Sequence, residues 1–179
     1  MSWYVRTLLL DSYTVSKIGI DQYVDSVKSN EDLEKVMGTD LLTVFQLLNL
    51  PTVTSAEFVE QIDEISYYTL VFDDDDYNNL LFLCKKIKEL YKSGSLSKYE
   101  VSIISKIMNG DHFIDIANSL GKKDMRPIKK DFYDVCNRLA FALGGEYTDE
   151  GYLNYMVEKY KLTPEQSQTL LQFMEKDRR

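Results

Sequence analysis

Lys122, Lys123, Arg126, Lys129, Lys130, Tyr133 and Asn137 crowd into one short stretch of this chain. Ammonium and guanidinium groups neutralise phosphates and displace condensed counterions, while an amide and a phenol can hydrogen-bond to base edges. These seven side chains are therefore candidate contacts to double-stranded DNA. Their spacing supports a common face: Arg126, Lys129, Lys130, Tyr133 and Asn137 recur at helical intervals, and Ile128, Phe132, Val135, Leu139 and Ala142 recur opposite them. Local charge supports it too. Residues 121–138 carry six Lys and Arg against three Asp and Glu, within a chain of net charge −8. The bland alternative is a lysine-wetted helix surface, since Lys is the commonest exposed residue type. Asp131 and Asp134 lie in the same stretch, so binding by this module alone is expected to be weak and strongly salt-dependent.

Other residue sets capable of chemistry lack the spacing that chemistry needs. Asp73, Asp74, Asp75 and Asp76 form an acidic run, but counting from Asp74, a calcium loop would need Gly where Asn79 stands and Glu where Lys85 stands. The run is expected to cap and charge-complement the helix that follows. His112 is the only histidine, which removes His–His metal pairs and leaves any Ser–His or Cys–His catalysis dependent on one residue at a helix start. Cys84 and Cys136 sit in apolar periodic segments and read as reduced core residues. The glycines match neither phosphate-loop nor dinucleotide spacing. The chain thus reads as a non-enzyme with no metal and no cofactor.

The elements that must position the cationic stretch are helical. Three prolines and eight glycines fall between periodic segments, the pattern of helices joined by short turns. Residues 30–50 predict one or two helices ending at Pro51; Thr54 and Glu57 have capping-box spacing; and a short strand over residues 68–72 is an option. Leu80, Leu83, Cys84, Ile87 and Tyr91 mark a helix closed near Gly94. From Leu96 onward three patterns follow, separated by Gly110 and Gly121. Leu96, Ile103, Ile104 and Ile107 face inward on the first, and Phe113, Ile116, Ala117 and Leu120 on the second, where Ala117 permits a close crossing. The third begins near Arg126 with Pro127 in its first turn. Tyr152, Tyr155, Met156 and Tyr160 mark a further helix, and Thr163 and Pro164 open a last one with Leu170, Leu171 and Met174 inward.

Residues 96–143 resemble the helix-turn-helix of sigma-factor region four and of LuxR-type response regulators. That superfamily's pattern falls on Leu96, Glu100, Ile103, Ile104, Gly110, Asp115, Ile116, Ala117, Leu120 and Gly121 with every interval kept. The resemblance implies that residues 113–120 are the scaffold helix and that the helix from Arg126 or Pro127 is the recognition helix, whose first turns enter the major groove. After the Leu–Gly pair the family has an apolar residue and a Ser or Thr cap. Here Lys122, Lys123 and Asp124 follow, implying a longer turn.

The expected architecture is all-α: a helical N-terminal subdomain over residues 1–93, the helix-turn-helix module over 96–145 and a C-terminal helical extension over 146–179. Acidity belongs to the first part, because residues 1–90 hold 7 Lys and Arg against 16 Asp and Glu. A local DNA interface with an acidic N-terminal half bound to a protein such as RNA polymerase is the leading expectation. A second is an acidic interaction protein that inhibits or adapts a partner without touching DNA. A third is an oligomeric DNA-packaging or replication accessory protein, a homo-oligomer joined through the C-terminal helices. Thirteen tyrosines suit either an interface or a core edged with hydroxyls. No stretch is long enough to span a bilayer and the opening residues lack signal-peptide features, so the expected location is the cytoplasm, with no membrane partner.

Overall fold

Capping groups and left-handed glycines divide the chain into helices. In the computed structural model, which describes residues 2–18, 41, 44, 47, 48 and 74–177, there are seven α-helices and no strand among the described residues. They are α1 (Trp3–Ile18), α2 (Asp74–Lys92), α3 (Lys98–Met108), α4 (Phe113–Ser119), α5 (Arg126–Leu143), α6 (Asp149–Tyr160) and α7 (Pro164–Lys176), with a 3-10 turn at Gly145–Tyr147. The all-α expectation holds. No helix of the described residues is long and apolar enough to cross a membrane. The Thr54–Glu57 capping spacing, the strand option at 68–72, Asp73 and most of the helices expected over 30–50 lie outside the described residues.

The chain divides into two compact units, one formed by Met1–Tyr13 with Asn79–Tyr152 and the other by Thr14–Asn78 with Leu153–Arg179. Residues 96–145 therefore share a unit with the start of α1 and most of α2, and the segments expected at 1–93 and 146–179 each contribute to both units.

Within the first unit, α3, α4 and α5 pack on one another around Ile103, Ile104, Ile107, Ile116, Ala117, Ile128, Phe132, Val135 and Leu139, all buried. Ser97 caps α3, its hydroxyl accepting from the Glu100 amide at 3.1 Å. Two expected inward residues differ. Leu120 is exposed because α4 has ended at Ser119 and helical spacing no longer aims its side chain. Ala142 is exposed because it lies at the edge of the α5 stripe, which Cys136 and Ala140 complete instead. Cys136 is fully buried, and burial pushes its thiol far up; half-buried Cys84 is raised by burial, with Lys88 opposing.

A second cluster in this unit is aromatic. Tyr4 stacks on Tyr152 at 4.5 Å between ring centres, Trp3 meets Tyr152 at 5.4 Å, and Tyr4 meets Tyr147 at 6.3 Å. Asn79 ties the hydroxyls together, its side-chain amide donating to Tyr4 Oη at 3.1 Å while its backbone carbonyl accepts from Tyr147 at 3.1 Å. Of the tyrosines with two open roles, Tyr147 and Tyr152 are core residues. The first turn of α6 closes under the cluster: Thr148 Oγ1 accepts from the Gly151 amide at 3.0 Å, and Gly151 approaches Gly145 so closely that a Cβ would stand 1.8 Å from its carbonyl oxygen.

In the second unit, Thr163 and Gln166 form a reciprocal capping box at the start of α7, with bonds of 3.1 and 2.9 Å. Gln166 Nε2 also donates to the Leu48 carbonyl at 2.7 Å, and Leu162, Leu170, Met174 and Met156 are buried. Asp74, Asp75 and Asp76 lie in the first turn of α2, where Asp75 accepts from Tyr155 at 3.0 Å and pairs with Lys159 at 3.5 Å.

Candidate nucleic-acid interface

The turn that presents the cations is built by the end of α4. Gly121, at φ 71°, gives its amide to the Asn118 carbonyl at 3.0 Å, and the Lys122 amide reaches the Ala117 carbonyl at 2.8 Å. This double closure satisfies the last carbonyls of α4 and releases the chain outward, and only a residue tolerant of positive φ can make it. Six residues, 120–125, then separate α4 from α5, longer than the three or four usual in a helix-turn-helix. The longer turn is the one that Lys122, Lys123 and Asp124 imply.

Asp124 starts the next helix from two residues before it, one outside the cap. Its Oδ1 accepts from the Arg126 amide at 3.0 Å, substituting for Met125, which sits at the cap without a capping side chain. Pro127 occupies the first turn, where its missing amide costs nothing. The same carboxylate grips the Arg126 side chain, with Nε at 2.8 Å and Nη2 at 2.7 Å from Oδ2. The pair holds the Asp124 carboxyl below its ordinary range and raises the guanidinium.

The seven candidate residues meet different surroundings. Lys122, Lys123, Arg126 and Lys130 are exposed around the turn and the first turns of α5. Lys122 places its amine 5.5 Å from the centre of the Tyr99 ring, and Tyr99 in turn donates to Asp131 at 2.8 Å, joining α3 to α5. Lys129 is half-buried, its amine 5.8 Å from the Phe113 ring centre. Tyr133 and Asn137 lie further along and are engaged by α1 and the residue before it. Arg6 stacks its guanidinium 4.7 Å from the Tyr133 ring centre, and Ser2 donates to Asn137 Oδ1 at 2.9 Å. Ser2 and Arg6 are themselves buried. On the opposite edge of α5, Arg138 pairs with Glu100 and donates to the Ser95 carbonyl at 3.3 Å.

The structure thus leaves Lys122, Lys123, Arg126 and Lys130 exposed along the turn and the first turns of α5, with Arg126 paired to Asp124, and gives Tyr133 and Asn137 intramolecular partners. Sequence reasoning missed the roles of Asp124, Tyr99, Ser2 and Arg6. Asp124 had a signal, because an Asp two residues before a helical Arg is positioned for a side-chain cap. Ser2 and Arg6 had none, being more than a hundred residues from their partners in sequence. His112 sits at the start of α4, exposed and without a capping bond. Among the described residues no group of three or more His, Cys, Asp or Glu side chains is placed to hold a metal ion. No protein family, curated protein or solved structure matches the chain.

Proposed function

We propose that residues 96–143 are a DNA-binding helix-turn-helix of sigma-like or regulator type, and that the acidic N-terminal half engages a protein partner such as RNA polymerase. One observation carries the reading: Lys122, Lys123, Arg126 and Lys130, close in sequence, are all exposed where a short helix turns into a longer one, in a protein of net charge −8. Phosphates are the chemistry that such a group selects, and the turn and first turns of a recognition helix are where a duplex arrives. Four cations of this kind correspond to a slope of log affinity on log salt of roughly −3 to −4.

The test is fluorescence anisotropy of the full chain with a labelled duplex, at low salt and near physiological salt. The double variant Lys123→Glu/Lys130→Glu changes two exposed side chains and is expected to keep the helical circular dichroism while weakening binding about a hundredfold at low salt. Unchanged binding would overturn the assignment.

A second reading, an acidic interaction protein in which the three helices serve as a packing unit, is favoured by the seating of Ser2 and Arg6 on the stripe of α5. It requires no retention on DNA at low salt and capture of a protein through residues 1–90.

A further inference from the structure

The same contacts that favour the second reading bear on what kind of DNA recognition the first allows. A recognition helix reads sequence with side chains that reach base edges, and the specific pairings are bidentate: an amide that gives and accepts at adenine, or a guanidinium edge that donates twice at guanine. On the stripe of α5 each group capable of such a pairing already holds a protein partner. Asn137 Oδ1 accepts from Ser2, which takes one of its two lone pairs and fixes the amide toward the start of α1, although the residue itself is exposed. Arg126 gives its Nε–Nη2 edge to Asp124, at 2.8 and 2.7 Å, which leaves the terminal edge of an exposed guanidinium whose direction the carboxylate sets. Tyr133 carries Arg6 over its ring and Phe113 against its edge, with ring centres 6.4 Å apart. The start of α1, which makes these contacts, is held in place: the Trp3 amide donates to Asp149 at 2.7 Å, and Trp3 and Tyr4 are fully buried.

Lys122, Lys123 and Lys130 remain as single ammonium groups on flexible stems. They suit phosphates as point charges and lack the rigid planar fork that makes Arg the more discriminating reader of guanine. We infer that the ligand of this site is duplex DNA taken through its phosphates, irrespective of sequence, with the end of α5 serving as a seat for α1. Resting on the DNA-binding reading above, the inference concerns the class of ligand within it.

The experiment selects duplexes with a randomised core on the full-length protein through several rounds, and then measures anisotropy with two duplexes of equal length and unrelated sequence. The selected pool is expected to show no enriched motif, and the two affinities to agree within about threefold, since phosphate contacts carry no sequence information. Lys130→Glu is expected to weaken both duplexes by the same factor. An enriched motif, or a Lys130→Glu loss confined to one sequence, would overturn the inference and leave the DNA-binding reading standing. Absence of binding to any duplex at low salt would instead overturn that reading and this inference with it.

Discussion

In the first turns of α5, Arg126 and Lys130 extend from the surface beside the lysines of the preceding turn, whereas further along the same stripe Tyr133 and Asn137 lie against Arg6 and Ser2. Both halves of the helix show the same three-and-four spacing and the same mixture of polar types. They differ in what the rest of the chain does. Before residue 126 the chain runs through an exposed turn, while the later half of α5 meets Arg6 and Ser2 at the start of the chain, where Trp3 and Tyr4 pack with Tyr147 and Tyr152. A polar face on a helix is therefore an offer that solvent, a ligand or another helix can take, and burial of neighbouring apolar groups decides which.

Four substitutions probe that contrast, beginning with the one expected to erase it. Phe132 is fully buried in mid-helix with its ring 5.6 Å from Phe113. Phe132→Ala should cost about 3–5 kcal/mol in a denaturant titration followed by circular dichroism, because the lost contacts leave a cavity that both halves share. A loss below about 1 kcal/mol would mean that the halves of α5 are stabilised separately.

Gly151→Ala attacks the covered half alone. The new Cβ would collide with the Gly145 carbonyl oxygen, a backbone atom that cannot swing aside, so a loss of about 1–3 kcal/mol is expected. Trp3 is the only tryptophan, and its amide is held by Asp149 in the same first turn of α6. Its emission should therefore shift to the red, and an unchanged spectrum would show that α1 does not depend on that turn.

Tyr99 probes the exposed half. Burial and its bond to Asp131 push its phenol up to about 12, and burial with the Glu146 charge does the same for Tyr147. An unfolded chain releases such protons near 10, so these groups favour the fold fully below pH 10 and lose that contribution as the pH rises to about 12. Stability should fall across this window, and Tyr99→Phe should make the fall shallower while leaving the part due to Tyr147. An identical profile in the variant would show that the Tyr99–Asp131 bond is not maintained in solution.

The smallest effect is expected from Asp124→Asn, which keeps an oxygen to cap α5 but frees the Arg126 guanidinium from an ionic grip. Affinity for duplex DNA should rise severalfold, since a carboxylate that repels phosphate is removed and the guanidinium is released. No change would mean that Arg126 makes no phosphate contact, confining the site to its lysines.

Local rules carried much of the architecture. The apolar spacing of Ile103, Ile104 and Ile107, of Ile116 and Ala117, and of Ile128, Phe132, Val135 and Leu139 marks which side of each helix is buried; Gly110, Gly121 and Gly94 mark where helices close; and Pro127 and Thr163 mark where they open. Such features are legible because each helical hydrogen bond spans four residues and each cap one or two more, so the information lies within a turn of where it acts. The cationic stretch was legible for the same reason: Lys122, Lys123, Arg126 and Lys130 are neighbours in sequence, and each is exposed. Only the tertiary structure could decide that Ser2 and Arg6 would take Asn137 and Tyr133, or that Gly151 would press on Gly145. The seat of α1 depends on the joint packing of Trp3, Tyr4, Tyr147, Tyr152 and Asn79, drawn from three distant stretches of the chain, and no spacing rule connects residues whose contact is fixed by the volume they fill together.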